Sequence, residues 1–478
     1  MLNYIFIVLF FGIFLTSFSQ DKKYSKICAL TTSLIVLILS VELLTSFKSN
    51  VESFQHVVVY KIDNSFLNFV VSFGLDGVSI YFFYLTALLI FLCIVFIINE
   101  NKFKDYAVNL LLIELFLCII FSVLDLMIFY IFFEAILVPM YLLIGIWGSR
   151  ERKIRAVYLF FFYTLCSSLL FLISILYIYN KTGSLSLEYL MTVEFTFTEQ
   201  LFLWSAFFLS FASKIPMFPF HIWLPEAHVE APTVGSVLLA GILLKLGVYG
   251  LLRFNLTVFA DASFYFSPLV YLMSCIGVVY ASLAALRQTD LKRIIAYSSV
   301  AHMNLVTLGI FSFNSIGVEG AIVQSISHGF VSGGLFFLIG IVYNRYHTRY
   351  LYYYGGIVHY MPIYSATFLV FTLANIALPT TSSFVGEFLI LSGIYKTNVV
   401  TGIIAALGVI LSGAYSLWLY NKMTFGNLKV TFLSKFQDIN FREFFIMFPL
   451  FIYIVILGIF PSYFTQNLHF VVNTLCLA

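Results

Sequence analysis

Apolar residues in this chain come in runs of about 20, the length a helix needs to cross a bilayer core, and polar residues mostly fall in the short stretches between them. Fourteen runs can be counted, centred on Leu9, Ile35, Leu88, Leu115, Phe132, Leu169, Leu209, Leu243, Met273, Leu305, Leu335, Leu378, Ile410 and Ile454. The fourth and fifth are separated by little more than Asp125, and the ninth and tenth are joined by RQTDLKR. The pattern predicts an all-α membrane protein of about 14 transmembrane helices. The first run, Leu2 to Phe18, has no basic segment before it and no small-residue cleavage site, so it is expected as a span and not as a cleaved targeting segment.

Two runs are broken by proline. Between Ala212 and Gly250 lie Pro216, Pro219, Pro225 and Pro232, together with Lys214, His221, Glu226, His228, Glu230 and Lys245. The twelfth run breaks at Pro379 ahead of Glu387. Spans 4–8 and 9–13 compare as two sets of five, and because five is odd the second set begins on the opposite face, the arithmetic of an inverted repeat. The expected organisation is residues 1–105 for helices 1–3, 106–253 for the first repeat, 254–425 for the second and 426–478 for a final helix.

Composition agrees with the pattern. Of the 478 residues, 62% are hydrophobic and 10% charged, far from the balance of a soluble domain. A net charge of +3 gives no reason to expect a nucleic-acid partner, because the basic residues sort by loop. Eighteen Lys and Arg follow odd-numbered spans and five follow even-numbered ones, with Lys214 and Lys245 inside the membrane. That bias puts the odd loops on the cytoplasmic or matrix side and both termini opposite. The six cysteines form no C-x-x-C and no Cys/His cluster, so free thiols are expected, without a disulfide framework or iron-sulfur site. The abundance of Phe (56) and Tyr (31) fits an AT-rich, organelle-type coding bias.

Charges at membrane depth are costly and tend to mark ion pathways. Glu134 lies mid-span; it is either a partner of a lysine or a neutral carboxyl tying two helices. Lys214 and Lys245 are either structural counter-ions or proton carriers, the latter suited to a lysine's readiness to give up its proton when buried. His302 and His328 sit among Ser298, Ser299, Ser325 and Ser327, as interhelical contacts or as a relay. Glu387 closes the series. Glu42 and Glu114 read as interhelical bonds or peripheral groups, and Asp125 as a helix-start residue. The His221, Glu226, His228, Glu230 group loosely resembles a metal-ligand set, but its prolines favour a rigid turn, so no metal is expected.

The stretches FYIFFEAILVPMYLLIGIWG, FASKIPMFPFHIWLPEAHVEAPTVGSVLLAGILLKLGVYG, DLKRIIAYSSVAHMN and LPTTSSFVGEFLIL resemble those of the antiporter-like membrane subunits of respiratory complex I, the NADH-ubiquinone oxidoreductase, from about Leu75 to Tyr420. Glu387 is similar to the member of that family that carries glutamate where its two sisters carry lysine. Thr380 and Ser383 depart from it, standing where glycine is common, and Asn375 and Thr381 are unusual. The resemblance implies a proton channel through Glu134, Lys214, Lys245, His302, His328 and Glu387, driven by redox chemistry on partner subunits. NADH, FMN, iron-sulfur clusters and ubiquinone would belong to those partners; this chain would bind no cofactor of its own, with room for phospholipid. Partners would be other membrane-arm subunits, including two homologous antiporter-like chains, in the mitochondrial inner membrane or a bacterial plasma membrane. A stand-alone Mrp-type sodium/proton antiporter resembles the same motifs, and a structural spacer with relic charges is a third reading.

Overall fold

The computed structural model describes all residues except 50, 52, 65–66, 101, 430–436 and 478; the side chains of 62–69 and 476–477 also lie outside the described set. The chain begins with α1 (Leu2–Phe18) and α2 (Lys22–Ser46), followed by an antiparallel hairpin, β1 (Gln55–Asn64) and β2 (Leu67–Leu75). Next come α3 (Ser79–Phe96), α4 (Phe103–Ser122), α5 (Leu126–Ala135), α6 (Leu137–Trp147), α7 (Lys153–Thr182), the short α8 (Leu187–Leu190), α9 (Phe197–Lys214) and α10 (Trp223–Glu230). The eighth apolar run is one helical rod of alternating pitch: α11 (Thr233–Leu238), a π turn at Leu239–Leu243, α12 (Leu244–Gly250), a second π turn at Leu251–Asn255, and α13 (Leu256–Val258). The rest is α14 (Ala260–Arg287), α15 (Leu291–Ile310), α16 (Ser315–Tyr346), α17 (Pro362–Asn375), α18 (Ser382–Thr397), α19 (Val399–Thr424), α20 (Phe441–Ile459) and α21 (Ser462–Leu477).

Every expected span centre falls in a helical element except Leu378, which sits in the break between α17 and α18. Ten helical stretches among the described residues are long and apolar enough to cross a membrane by length and composition. Four expected spans fall outside that set for physical reasons. Helix α1 is short, α9 and α15 are diluted by polar residues, and the twelfth span is divided. The fifth span is split too, at Ile136 between α5 and α6. Asp125 caps α5 as expected, accepting from the backbone N–H groups of Met127 and Ile128; a cap of this kind is worth about 1 kcal/mol.

Three elements form the interior. The windows of highest hydropathy in the α11–α13 rod and in α16 are 100% buried and that of α3 is 89% buried, against 33% for α7 and 22% for α20. A helix covered on all sides is the centre of its domain. The polar residues that α16 and the α11–α13 rod carry are therefore sealed from lipid.

Loop contacts sort into two faces. After odd spans, Ser149 donates its N–H to Glu230 O (3.1 Å) and Leu291 to Arg349 O (2.9 Å). There Arg349, 1% exposed, pairs with Glu230 through Nη2 (2.9 Å) and with Asp290 through Nε (2.9 Å). Burial pushes the Asp290 carboxyl above its ordinary range while the Arg349 guanidinium pulls it back. After even spans, Leu124 donates to Ser72 O (3.0 Å), Leu126 donates to Leu185 O (3.0 Å), and Asp76 pairs with Arg253 (2.8 Å). These sets are those that strict alternation of spans requires.

The hairpin and α21 were not anticipated from the apolar runs. Both lie on the even face, where a Cβ at Gly77 would stand 2.0 Å from Asn467 O; Asn467 donates to the Tyr81 hydroxyl (2.8 Å). The free-thiol expectation holds for Cys28, Cys93, Cys118, Cys166 and Cys275; the Cys476 side chain and Lys435 lie outside the described residues.

The two-face arrangement makes a labelling prediction. Cysteines introduced as Lys48→Cys and Tyr463→Cys should react with an impermeant maleimide from one side of oriented vesicles, and Glu151→Cys from the other. Labelling of all three from a single side would refute the alternation.

Candidate functional site

Helix α9 ends at Lys214 because Pro216 has no N–H to continue the ladder. The chain then turns through residues 215–222 before α10. The Lys214 ammonium is 3% exposed and has no hydrogen-bond partner. It faces the Phe133 ring, 4.4 Å from its centroid, a cation–π contact worth about 2 kcal/mol when desolvated. Glu134 is within electrostatic range, but no nitrogen–oxygen contact within 4.0 Å joins the two. The expected partnership is thus a field across a gap and not a touching ion pair.

Lys245 is held differently. It lies on α12 between the two π turns and is 0% exposed. Its Nζ donates to the Ala240 carbonyl in the first π turn (2.5 Å) and shares a hydrogen bond with Nδ1 of His328 on α16 (2.9 Å). The His328 and His302 rings are 5.8 Å apart between centroids. His302 on α15 contacts Glu387 through Nδ1 and Oε1 (3.0 Å). Gln324, one helical turn from His328 on α16, donates to the same Oε1 (3.0 Å). Lys245, His328, His302 and Glu387 therefore follow one another across four helices, each next to the one after it. A cavity of about 10 Å³ adjoins His302 and Glu387, beside Gly408 and Ser412, near the smallest volume that holds a water.

Close backbone approach sets these spacings. A Cβ at Gly386 would come within 2.7 Å of the Gln324 backbone, so glycine lets α18 press onto α16 and brings Glu387 within reach of Gln324. The break before α18 is stitched by Ser383, whose hydroxyl donates to Ala374 O. Thr380 has φ 83, a left-handed backbone costly for a β-branched residue, which explains why glycine suits that position.

Other expected residues lie elsewhere. The carboxylates of the His221–Glu230 group are engaged by arginines, Glu226 by Arg293 (2.7 Å) and Glu230 by Arg349 (2.9 Å); the expected rigid turn holds only for His221, because Glu226, His228 and Glu230 lie on the helix α10. The His221 ring packs between Phe218 and Tyr280. Glu42 is exposed, but Glu114 is neither peripheral nor an interhelical bond. It is 0% exposed and neither carboxyl oxygen has a partner; no sequence signal separates such a carboxyl from a bonded one.

Residues 123–413, which contain every group named in the series, match the family described as NADH:quinone oxidoreductase/Mrp antiporter, transmembrane region. The chain is 50% identical to NADH-ubiquinone oxidoreductase chain 4 of Marchantia polymorpha over 447 residues, covering 93% of this chain and 90% of the relative. It is 50% identical to the chain 4 of Arabidopsis thaliana over 453 residues, covering 94% and 91%. The chain belongs to the NADH-ubiquinone oxidoreductase chain 4 family. A chain of respiratory complex I from Thermus thermophilus, solved with bound NADH, superposes with TM-score 0.91 at 28% identity, covering 100% of this chain and 99% of that one. A chain of an archaeal membrane-bound sulfane sulfur reductase shares the fold, with TM-score 0.86 at 21% identity over 96% of this chain and 76% of the other.

The glycine contact gives a test specific to this chain 4 family member. Gly386→Ala should force α18 away from α16 and lower stability by about 1–3 kcal/mol, the usual cost of overpacking. A melting temperature of the purified assembly equal to that of the parent would refute the close-approach account.

Proposed function

We propose that this chain carries protons through the membrane arm of a respiratory NADH:ubiquinone oxidoreductase, by way of the Lys245, His328, His302, Glu387 series. The observation that carries the reading is the Lys245–His328 contact at 2.9 Å, which puts two proton-exchanging nitrogens within hydrogen-bond reach inside a fully covered helix pair.

The chemistry is proton hopping, with no electron transferred on this chain. A protonated Lys245 gives its proton to Nδ1 of His328, leaving a neutral amine held by the Ala240 carbonyl. An imidazole can take a proton on one nitrogen and release one from the other, so His328 can pass charge on toward His302. Glu387, fixed by Gln324, stabilises an imidazolium at His302 or accepts the proton itself. Gaps beyond hydrogen-bond length are crossed through water. Glu134 lies within electrostatic range of Lys214, so a change of charge at either group is felt by the other.

Relatives named for NADH and ubiquinone at half identity over more than nine tenths of the chain favour this reading over a stand-alone Mrp-type antiporter. NADH oxidation, FMN, iron-sulfur clusters and ubiquinone reduction would then reside on partner chains, and the odd face would look into the mitochondrial matrix, with the assembly in the inner membrane.

Lys245→Ala and Glu387→Gln in the intact assembly, reconstituted in vesicles, should each lower proton uptake and coupled NADH oxidation together, by roughly tenfold or more if proton transfer is the lost step, with subunit content unchanged. Glu134→Gln should lower uptake more than Glu134→Asp. Wild-type proton uptake in Lys245→Ala would overturn the reading.

A further inference from the structure

The outer wall of the bundle between α7 and α9 is not smooth. A groove of about 480 Å³ opens there, walled by Leu170, Ile173 and Phe202 and floored by Ser174, Leu203 and Ala206. Ile173 is 63% and Phe202 79% exposed, so the groove opens sideways, toward the hydrocarbon of the bilayer. Along α9 it runs from Thr198 to Ala206, about 12 Å at 1.5 Å per residue, against a leaflet depth of about 15 Å. The volume is in the range of small-molecule sites, about 300–1,000 Å³, and a long, apolar, one-sided shape fits a flexible hydrocarbon chain.

The end of the groove at the even face carries charge. Glu199, in the first turn of α9, lines it together with Tyr177. Glu199 Oε2 accepts from the Thr196 N–H (2.9 Å), from the Thr196 hydroxyl (2.8 Å) and from Lys181 Nζ at the end of α7 (2.5 Å). Its Oε1 accepts from the Tyr177 hydroxyl (2.7 Å). Capping α9 requires only the Thr196 contacts; Tyr177 and Lys181 pin the carboxylate at the mouth of the groove. Lys181 is held in turn over the Phe195 ring, 5.1 Å from its centroid. Both charges keep spare capacity, because an ammonium has three N–H donors and a carboxylate oxygen two lone pairs. Among the described residues, Lys181 donates only to Glu199, and Oε1 accepts only from Tyr177. The two side chains are 33% and 22% exposed, so a headgroup can reach them.

We propose that this groove seats one acyl chain of a phosphatidylethanolamine from the even-side leaflet, with the headgroup on the Lys181–Glu199 pair. The phosphate takes the spare N–H donors of Lys181, and the primary ammonium of the ethanolamine donates to Glu199 Oε1. The pair has no net charge, which matches a zwitterion; an anionic phospholipid would set its charge against Glu199 with no ammonium to offset it. A choline headgroup has no N–H to donate and loses the Glu199 contact, which as a charge-assisted hydrogen bond is of the stronger kind. None of these residues belongs to the proton series, so the site stands apart from the function proposed above.

Photolabelling tests the site. The intact assembly is placed in vesicles that contain a trace of phosphatidylethanolamine with a diazirine in its acyl chain, and after illumination the labelled peptides are mapped by mass spectrometry. Label should fall on residues 170–177 and 198–206. It should be roughly tenfold lower when the bulk lipid is phosphatidylethanolamine than when it is phosphatidylcholine, the ratio expected for one charge-assisted hydrogen bond. Bulk phosphatidylglycerol should compete no better than phosphatidylcholine. Ala206→Phe, which fills the floor, should remove the label, and Glu199→Gln should keep it while abolishing the difference between the two zwitterionic lipids. Should Ala206→Phe fail to assemble, the parent and Glu199→Gln decide. Equal labelling of the parent in both zwitterionic lipids, stronger competition by phosphatidylglycerol, or a difference that survives Glu199→Gln overturns the site. So does the absence of label from both stretches, the outcome for a groove filled by a helix of a partner subunit.

Discussion

The contact on which the structure turns is that of Lys245 Nζ with Nδ1 of His328. An ammonium held away from water is tolerated only where partners replace its hydration. Here one partner is a carbonyl of its own helix, Ala240, supplied by a π turn, and the other is the imidazole. Both demands shape the surroundings. The rod that bears Lys245 departs from α-helical pitch on either side of α12, and π turns of this kind recur where a helix must re-aim a side chain. Around the pair, the rod and α16 are wrapped on every side by other helices, so the low dielectric that makes the contact strong also keeps lipid away from it.

The two halves treat their charges unequally. Glu387 is gripped by Gln324 and touches His302. Lys214, its counterpart beside the other broken span, has no hydrogen bond and leans on an aromatic face. A group with two fixed partners has a well-defined neighbour to exchange a proton with; a group with none relies on fields and on water. The asymmetry makes Lys214 the position whose charge responds most freely to Glu134, while Glu387 is bound to the fate of His302.

Much of this was legible in the sequence because the bilayer imposes long periods. Spans, their alternation, the proline breaks near Lys214 and Glu387, and the rarity of charges at depth all follow from the cost of bare polar groups in hydrocarbon, and each has a visible residue pattern. What escaped notice lacks such a pattern. The hairpin at Gln55–Leu75 and helix α21 lie on the even face, where neither must be a 20-residue apolar run. The π turns have no signature beyond small residues such as Gly241. Lys292 misled for a different reason: a lysine beside Arg293 in a short loop counts as a topology signal, and nothing in DLKR says that its neighbour points outward to Glu226 while Lys292 points inward to Ala231.

Packing also limits how Lys245 can be reached. Where α12 meets α9, a Cβ on Gly247 would lie 2.5 Å from the Ile215 side chain and 2.8 Å from Phe211 O, and one on Gly250 would strike the Phe211 ring. The two helices are pressed together there through glycine, with apolar side chains filling the seam, although Lys214 lies just along it. The polar neighbours of Lys245 are on its other sides, His328 on α16 and, beyond hydrogen-bond length, His228 on α10. A route between Lys214 and Lys245 must therefore pass around this seam. The packing leaves the His328 side as the polar flank of Lys245, the side along which the proposed series runs.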